Sequence, residues 1–140
     1  TLSLADIGGT ATLSGDVDVT SLIVGAVSNS VANLVFTGNG STITNAFAPF
    51  NDGSITLGTD GGTQTFNGGL NMISSPATGI TLNGTIQSSN DQFVLINVTL
   101  ASDTIIDTNA TSSTGSILIN TITGGNNNLT LSNFKSRFWL

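Results

Sequence analysis

The sequence has 140 residues, of which 8 are Asp or Glu and 2 are Lys or Arg, so its formal net charge is −6. Two cations are too few for a basic patch, which argues against a nucleic-acid partner and against binding to an anionic membrane surface. Cysteine and histidine are absent, which excludes disulfides, thiolate metal sites and imidazole bases. No run of 18 apolar residues exists, so no membrane-inserting helix is predicted.

Short alternating apolar runs predict a chain built from β-strands. In chain order they occupy Thr1–Leu4, Thr10–Val19, Ser21–Ala26, Asn33–Thr37, Ser41–Ala46, Ser54–Leu57, Thr63–Phe66, Leu70–Ile73 and several runs within Gly79–Leu131. Asn, Asp, Gly, Ser and Thr separate the runs, as is typical of turns. The apolar residues show no helical spacing and 17 glycines are spread throughout, so helix is not expected.

The stretch Gly79–Leu131 shows the strand pattern most clearly. Apolar residues two positions apart lie on the same face of a strand. Such pairs are Ile80 and Leu82, Phe93 and Leu95, Val98 and Leu100, Ile117 and Ile119, and Leu129 and Leu131. Each pair therefore predicts one strand with a shared apolar face.

The strand units repeat along the chain at an irregular interval near twenty residues. Successive anchor positions are Leu13, Phe36, Leu57, Leu82, Leu100 and Ile119, which are 23, 21, 25, 18 and 19 residues apart. Repeats of this length indicate a solenoid. A parallel β-helix with coils of about 18–25 residues explains the pattern, because turns at the outside of each coil tolerate insertions.

The predicted β-helix would contain six or seven coils and form a rod on the order of 30 Å long, with strands about 4.8 Å apart. An antiparallel β-sandwich is the alternative fold, because its strands also recur every 8–12 residues.

The run Ser102–Ser132 resembles the degenerate repeats of filamentous-haemagglutinin-type adhesins and autotransporter passenger domains. The similarity lies in TIIDTN (residues 104–109), GSI (residues 115–117), GG (residues 124–125) and LTL (residues 129–131). Thr10–Thr44 is similar to passenger repeats in a looser way. The resemblance implies a right-handed parallel β-helix, export across a bacterial outer membrane, and an adhesive or surface-coat role.

The last residues depart from this pattern and divide the chain into a repeat region, 1–132, and a tail, 133–140. The tail, NFKSRFWL, contains both cations and the only Trp. An apolar tail can cap a terminal coil or contact another molecule. We therefore expect self-association through Phe134, Phe138, Trp139 and Leu140, and weaker assembly when Asn133–Leu140 is deleted.

Two pairs of aspartates are candidates for chemistry. Asp16 and Asp18 share a strand face and would bridge a calcium ion, but calcium usually needs six to eight oxygen ligands, which favours two solvated carboxylates. Asp103 and Asp107 would act as the carboxylate pair of a glycosidase. The sequence Asp107–Asn109 is more simply a turn closed by the Asp side chain.

Threonine-rich strand faces, such as Thr42 with Thr44 and Thr121 with Thr123, suggest a flat array that binds ice. The Thr-x-Thr motif does not recur at a fixed sequence period, which argues for an ordinary solvent-facing surface.

The sequence thus predicts a non-enzymatic structural or adhesive segment of a secreted or cell-surface β-solenoid, with no cofactor. It would serve as an adhesin stalk, a surface coat or a fibre subunit on a bacterium. Its partners would be further copies stacked head to tail, or glycans or proteins of host or neighbouring cells. The alternatives are a polysaccharide-active β-helix enzyme and a monomeric ligand-binding β-sandwich.

Overall fold

The computed structural model describes residues 1–25, 33–73 and 78–133, which form fifteen β-strands and no helix. The strands are β1 (Leu2–Leu4), β2 (Thr10–Leu13), β3 (Asp18–Val19), β4 (Leu22–Val24), β5 (Asn33–Phe36), β6 (Thr42–Ile43), β7 (Ser54–Leu57), β8 (Thr63–Phe66), β9 (Leu70–Asn71), β10 (Gly79–Gln87), β11 (Phe93–Leu95), β12 (Val98–Asp107), β13 (Ile117–Ile119), β14 (Ile122–Thr123) and β15 (Leu129–Ser132).

The strands stack as a β-solenoid of about five turns with three sides. Side 1 consists of β2, β5, β7, the first half of β10, the first half of β12, and β14. Side 2 consists of β3, β6, β8, the second halves of β10 and β12, and β15. Side 3 consists of β1, β4, a bridge at Phe47, and then β9, β11 and β13.

Every strand pair among the described residues is parallel, which confirms the predicted β-helix and excludes the antiparallel sandwich. Paired residues are 18 residues apart between Leu82 and Leu100 and 25 apart between Leu57 and Leu82. These are the limits of the predicted coil length. The coil count of six or seven was too high, because the first and last strand runs do not complete turns of their own.

The first five predicted anchor positions align in neighbouring strands of side 1. Leu13 pairs with Phe36, Leu57 with Leu82, and Leu82 with Leu100. The sixth anchor was wrong, because Ile119 lies on side 3 and pairs there with Leu95. Side 1 continues instead at Ile122–Thr123. The strands of all three sides have the same alternating pattern. A repeat identified from composition alone therefore cannot tell which side of the solenoid a strand belongs to.

The core is a set of stacked apolar columns that fill the inside of the coils. Phe36, Phe47 and Phe66 come from sides 1, 3 and 2, respectively, and are almost completely buried. Their ring centroids lie 5.7 to 6.5 Å apart, with two edge-to-face contacts and one stacked pair. Aromatic pairs at these distances attract one another beyond simple burial, so this cluster ties the three sides together.

Most of the predicted inward pairs are buried, and the exceptions lie at the C-terminal end. Side chains of Phe93, Leu95, Val98 and Leu100 are at most 5% exposed. Leu131 pairs with the buried Ile106 and therefore faces the same way, yet it is 53% exposed. No further coil covers it among the described residues.

The corner between sides 1 and 2 depends on a glycine inside a strand. Gly84 lies in β10 with φ +65°, a left-handed conformation that residues with a Cβ atom rarely adopt. A Cβ atom there would lie 2.6 Å from the carbonyl oxygen of Thr59 and would also strike the backbone of Gly62. The preceding coil passes so close that only glycine fits.

We expect Gly84→Ala to destabilise the solenoid more than Gly61→Ala does. Gly61 has a similar φ of +73°, but no atom of the described residues that the new side chain could clash with lies within 4 Å of its Cβ position. Both changes carry the cost of the left-handed conformation, about 1–2 kcal/mol, and only Gly84→Ala adds the overpacking, typically about 1–3 kcal/mol.

Urea denaturation followed by circular dichroism measures both variants. Equal losses of unfolding free energy would show that the two coils do not approach one another at Gly84.

Candidate functional site

A shallow cleft of about 310 Å³ lies along the corner between sides 1 and 2. Its walls come from four successive coils, and it is lined by Asp60, Gly61, Gly84, Thr85, Asp103, Thr104, Ile105, Asn128 and Thr130. Two carboxylates therefore face one groove. Because carboxylate pairs can do acid–base chemistry, this cleft is the strongest candidate for an active site among the described residues.

Asp103 reaches the cleft because β12 bulges at the corner. Leu82 pairs with Leu100, but the next registered pair is Gly84 with Thr104, so β12 has two residues more than β10 between these pairs. The extra residues are accommodated where the chain turns from side 1 to side 2. Such bulges re-aim a side chain, and here the bulge exposes the Asp103 carboxylate.

The Asp103 carboxylate is held by one residue of the next coil. Its Oδ1 accepts a hydrogen bond from the backbone N–H of Asn128 at 2.8 Å, and its Oδ2 accepts one from Asn128 Nδ2 at 3.1 Å. These two bonds, the backbone one first, hold the pKa of Asp103 below its ordinary value of 3.8. The general acid of a glycosidase needs a raised pKa. Asp103 is therefore poorly suited to donating a proton and well suited to linking two coils through hydrogen bonds.

Asp107, the other member of the candidate carboxylate pair, does not line this cleft. Its Oδ1 accepts a hydrogen bond from the backbone N–H of Asn109 at 2.8 Å. Asn109 has φ +47°, so the residues form the side-chain-closed turn that the sequence predicts. The carboxylate that does share the cleft with Asp103 is Asp60, which sequence reasoning did not single out.

The two aspartates considered as calcium ligands, Asp16 and Asp18, are both exposed, as expected for solvated carboxylates. Asp16 Oδ1 accepts a hydrogen bond from the backbone N–H of Gly40 at 2.8 Å, one coil further on. Asp18 is exposed in β3. No group of three or more carboxylate, imidazole or thiol ligands occurs within residues 1–25, 33–73 and 78–133.

The two ends of the solenoid form a second kind of candidate site. At the C-terminal end the inward-facing side chains of β13, β14 and β15 are half-buried or exposed, with Ile122 at 43% and Leu131 at 53% exposure. At the N-terminal end Leu2, Leu4 and Leu13 are only partly buried against the core. Apolar side chains and unpaired strand edges are therefore present at both ends among the described residues.

Side 3 carries most of the remaining exposed apolar surface. Ile23, Phe50, Ile73 and Leu118 point outward there and are 47% to 67% exposed. The predicted self-association residues Phe134, Phe138, Trp139 and Leu140 lie outside the described residues, and their role stays a prediction.

Comparisons with known proteins give no relative: no family model, no curated protein and no solved structure matches this chain significantly. The resemblance to adhesin and passenger repeats therefore remains one of composition and period. Within the described segments, no helix long and apolar enough to span a membrane is found.

We expect Asp103→Asn to lower stability near neutral pH by an amount that shrinks on acidification. The folded-state pKa is depressed, so the carboxylate contributes stability above its ordinary pKa of 3.8 and loses that contribution as pH falls through the lower folded-state value. Chemical denaturation at a series of pH values measures the difference from the unmodified chain.

Asp60→Asn is the matched control, because Asp60 lies in the same cleft and no described residue donates a hydrogen bond to its carboxylate. An NMR titration that placed the Asp103 pKa at or above 3.8 would contradict the proposed link between the coils. The same pH dependence of the stability loss in both variants would also contradict it.

Proposed function

We propose that this chain is a structural segment of an extended β-solenoid, which it lengthens by stacking coil on coil at its open ends. One observation carries the proposal: among residues 1–25, 33–73 and 78–133, both ends present parallel strand edges together with the inward-facing apolar side chains of the terminal coils. Unpaired strand edges are templates for further pairing, and the C-terminal edge of one copy has the strand direction that the N-terminal edge of another requires.

The charge distribution is compatible with end-to-end stacking. On side 1, the inward columns end at Ala11 and Leu13 at the N-terminal end and at Ile122 at the C-terminal end. None of these residues has an ionisable side chain. Head-to-tail contact of one copy with the next is heterologous, so it produces an open filament rather than a closed dimer.

The setting that we propose is the surface of a bacterium, with the rod acting as an adhesin stalk, a coat or a fibre subunit. This part rests on the resemblance of Ser102–Ser132 to adhesin and passenger repeats. The polysaccharide-cleaving alternative is less well supported, because the candidate carboxylates Asp103 and Asp107 do not share a cleft. Asp103 accepts hydrogen bonds from Asn128 of the next coil, and Asp107 accepts one within its own turn.

We expect the purified chain to form rods that lengthen with protein concentration, and Leu131→Lys to shift the population towards monomer. A lysine at this position would bring an unpaired charge into the stacked contact. We expect the dissociation constant, from analytical ultracentrifugation, to rise at least about tenfold, which corresponds to about 1.4 kcal/mol.

Leu118→Lys is the matched control. Leu118 belongs to the same terminal coil and is 49% exposed, but it points sideways from side 3 and not along the rod axis. The proposal is wrong if the unmodified chain stays monomeric at all concentrations, or if Leu118→Lys disrupts assembly as strongly as Leu131→Lys. Electron microscopy distinguishes lengthwise rods from lateral aggregates.

A further inference from the structure

The outer surface of side 1 carries a column of β-branched residues that crosses six strands. Its members, in order along the rod, are Thr12, Val35, Thr56, Thr81, Thr99 and Thr123. Each is in Cα register with the next. Val35, the one exception to threonine, has nearly the same shape, with a methyl group in place of the hydroxyl.

The column is regular in space although it is irregular in sequence. Successive members are 23, 21, 25, 18 and 24 residues apart. Turn insertions account for these differences, and every step is still one strand spacing of about 4.8 Å. The column thus extends over about 24 Å. The uneven sequence period, which argues against a threonine array, does not describe the surface that results.

A second column runs beside the first, two residues earlier in each strand run and about 6.6 Å away. It contains Thr10, Asn33, Ser54, Gly79, Asn97 and Thr121. Hydrogen bonds between neighbours hold its side chains: Asn33 Nδ2 donates to Thr10 Oγ1 at 3.4 Å, Ser54 Oγ donates to Asn33 Oδ1 at 3.1 Å, and Thr121 Oγ1 donates to Asn97 Oδ1 at 3.1 Å.

The hydroxyl groups of the first column make no hydrogen bond to another described residue. Among the described contacts, none of the side chains of Thr12, Thr56, Thr81, Thr99 and Thr123 makes a hydrogen bond. Hydroxyls elsewhere are engaged, as when Thr108 Oγ1 donates to the Gly115 carbonyl at 2.6 Å. The free hydroxyls of side 1 are therefore available to an external ligand that offers donors and acceptors at the same repeat.

Neither column of side 1 contains a charged or aromatic residue. Side 2 differs, because Asp18 and Asp107 lie in its outward positions and Ile105 interrupts its hydroxyl-bearing residues. Side 1 is thus the one of these two sides that presents an uncharged, two-dimensional array.

We propose that side 1 binds the surface of ice. Ice offers hydrogen-bonding oxygens in flat, evenly spaced rows, and this array is an evenly spaced set of hydroxyl and methyl groups on one sheet face. Threonine hydroxyls can join such rows directly or through bridging water. Their methyl groups restrict the orientation of the water between them, and the paired strands keep every position fixed.

Other regular ligands fit this surface less well. A crystalline polysaccharide is usually held by aromatic platforms stacked on the sugar rings, and neither column supplies one. A second copy of the chain would meet side 1 with the same mixture of hydroxyls and methyls, without the apolar side chains that fill a protein interface core.

The test uses the complete 140-residue chain and measures thermal hysteresis and inhibition of ice recrystallisation. We expect both activities in the unmodified protein and a several-fold loss in Thr81→Lys, which places a long charged side chain at the centre of the array. Thr99→Lys, at a more exposed position of the same column, gives an independent second variant.

Thr85→Lys is the matched control, because Thr85 lies in the same strand, is exposed to a similar degree and faces outward from side 2. We expect it to keep the activity of the unmodified chain. Circular dichroism and the melting temperature of each variant establish that it is folded before its activity is compared.

Three results would overturn the proposal. The first is an unmodified chain that affects ice no more than an equal concentration of serum albumin. The second is an equal loss of activity in folded Thr81→Lys and Thr85→Lys. The third is Thr81-dependent binding to crystalline cellulose or chitin without any effect on ice, which would assign the array to a polysaccharide.

Discussion

In-register parallel pairing between successive coils is the constraint on which the rest of the structure depends. Each strand run obtains its backbone hydrogen bonds from the coil before and the coil after. In-register pairing places similar side chains above one another along the rod. Leu13, Phe36 and Leu57 thus form an inward column. Thr56, Thr81 and Thr99 form an outward column. The same constraint leaves the terminal coils of the described residues with strand edges that no other described strand pairs.

The sequence predicted the solenoid because inward positions must alternate and must recur once per coil. The sequence pattern aligns Leu82 with Leu100 correctly, because a shift of one residue would turn every inward side chain of the strand to the outer face. Ile119 could not be placed correctly. Its coil contains three strand runs of nearly the same composition, and only the paired partner, Leu95, shows to which side the residue belongs.

Positions defined by contacts between coils could not be read from the sequence. Gln64 is completely buried in an inward column, where its Nε2 donates to the Gly38 carbonyl at 2.6 Å and its Oε1 has no partner among the described residues. From its polarity alone, a glutamine would be expected on the solvent-facing side of the strand. Asp60 and Asp103 meet in one cleft only because a bulge in β12 brings the second carboxylate to the corner.

The proposed functions use the two kinds of surface that such a stack creates. The ends carry open edges and apolar columns, which favour lengthwise assembly. The sides carry repeated outward residues at the strand spacing, which favour ligands that are themselves periodic. A rod that lengthens at its ends would also lengthen the threonine array of side 1, so the two proposals are physically compatible while each has its own test.

Cysteine cross-linking along side 1 tests the registered stack most directly, because the native chain contains no cysteine. Thr56 and Thr81 lie in register on adjacent strands, and their replacement by cysteine should give a disulfide under mild oxidation. Thr56 and Thr99 are two strands apart, beyond the roughly 7 Å limit between Cα atoms, and should not cross-link within one chain. Efficient bridging of the first pair alone is the predicted result; failure of the first pair, or bridging of the second within a monomer, would contradict the stack.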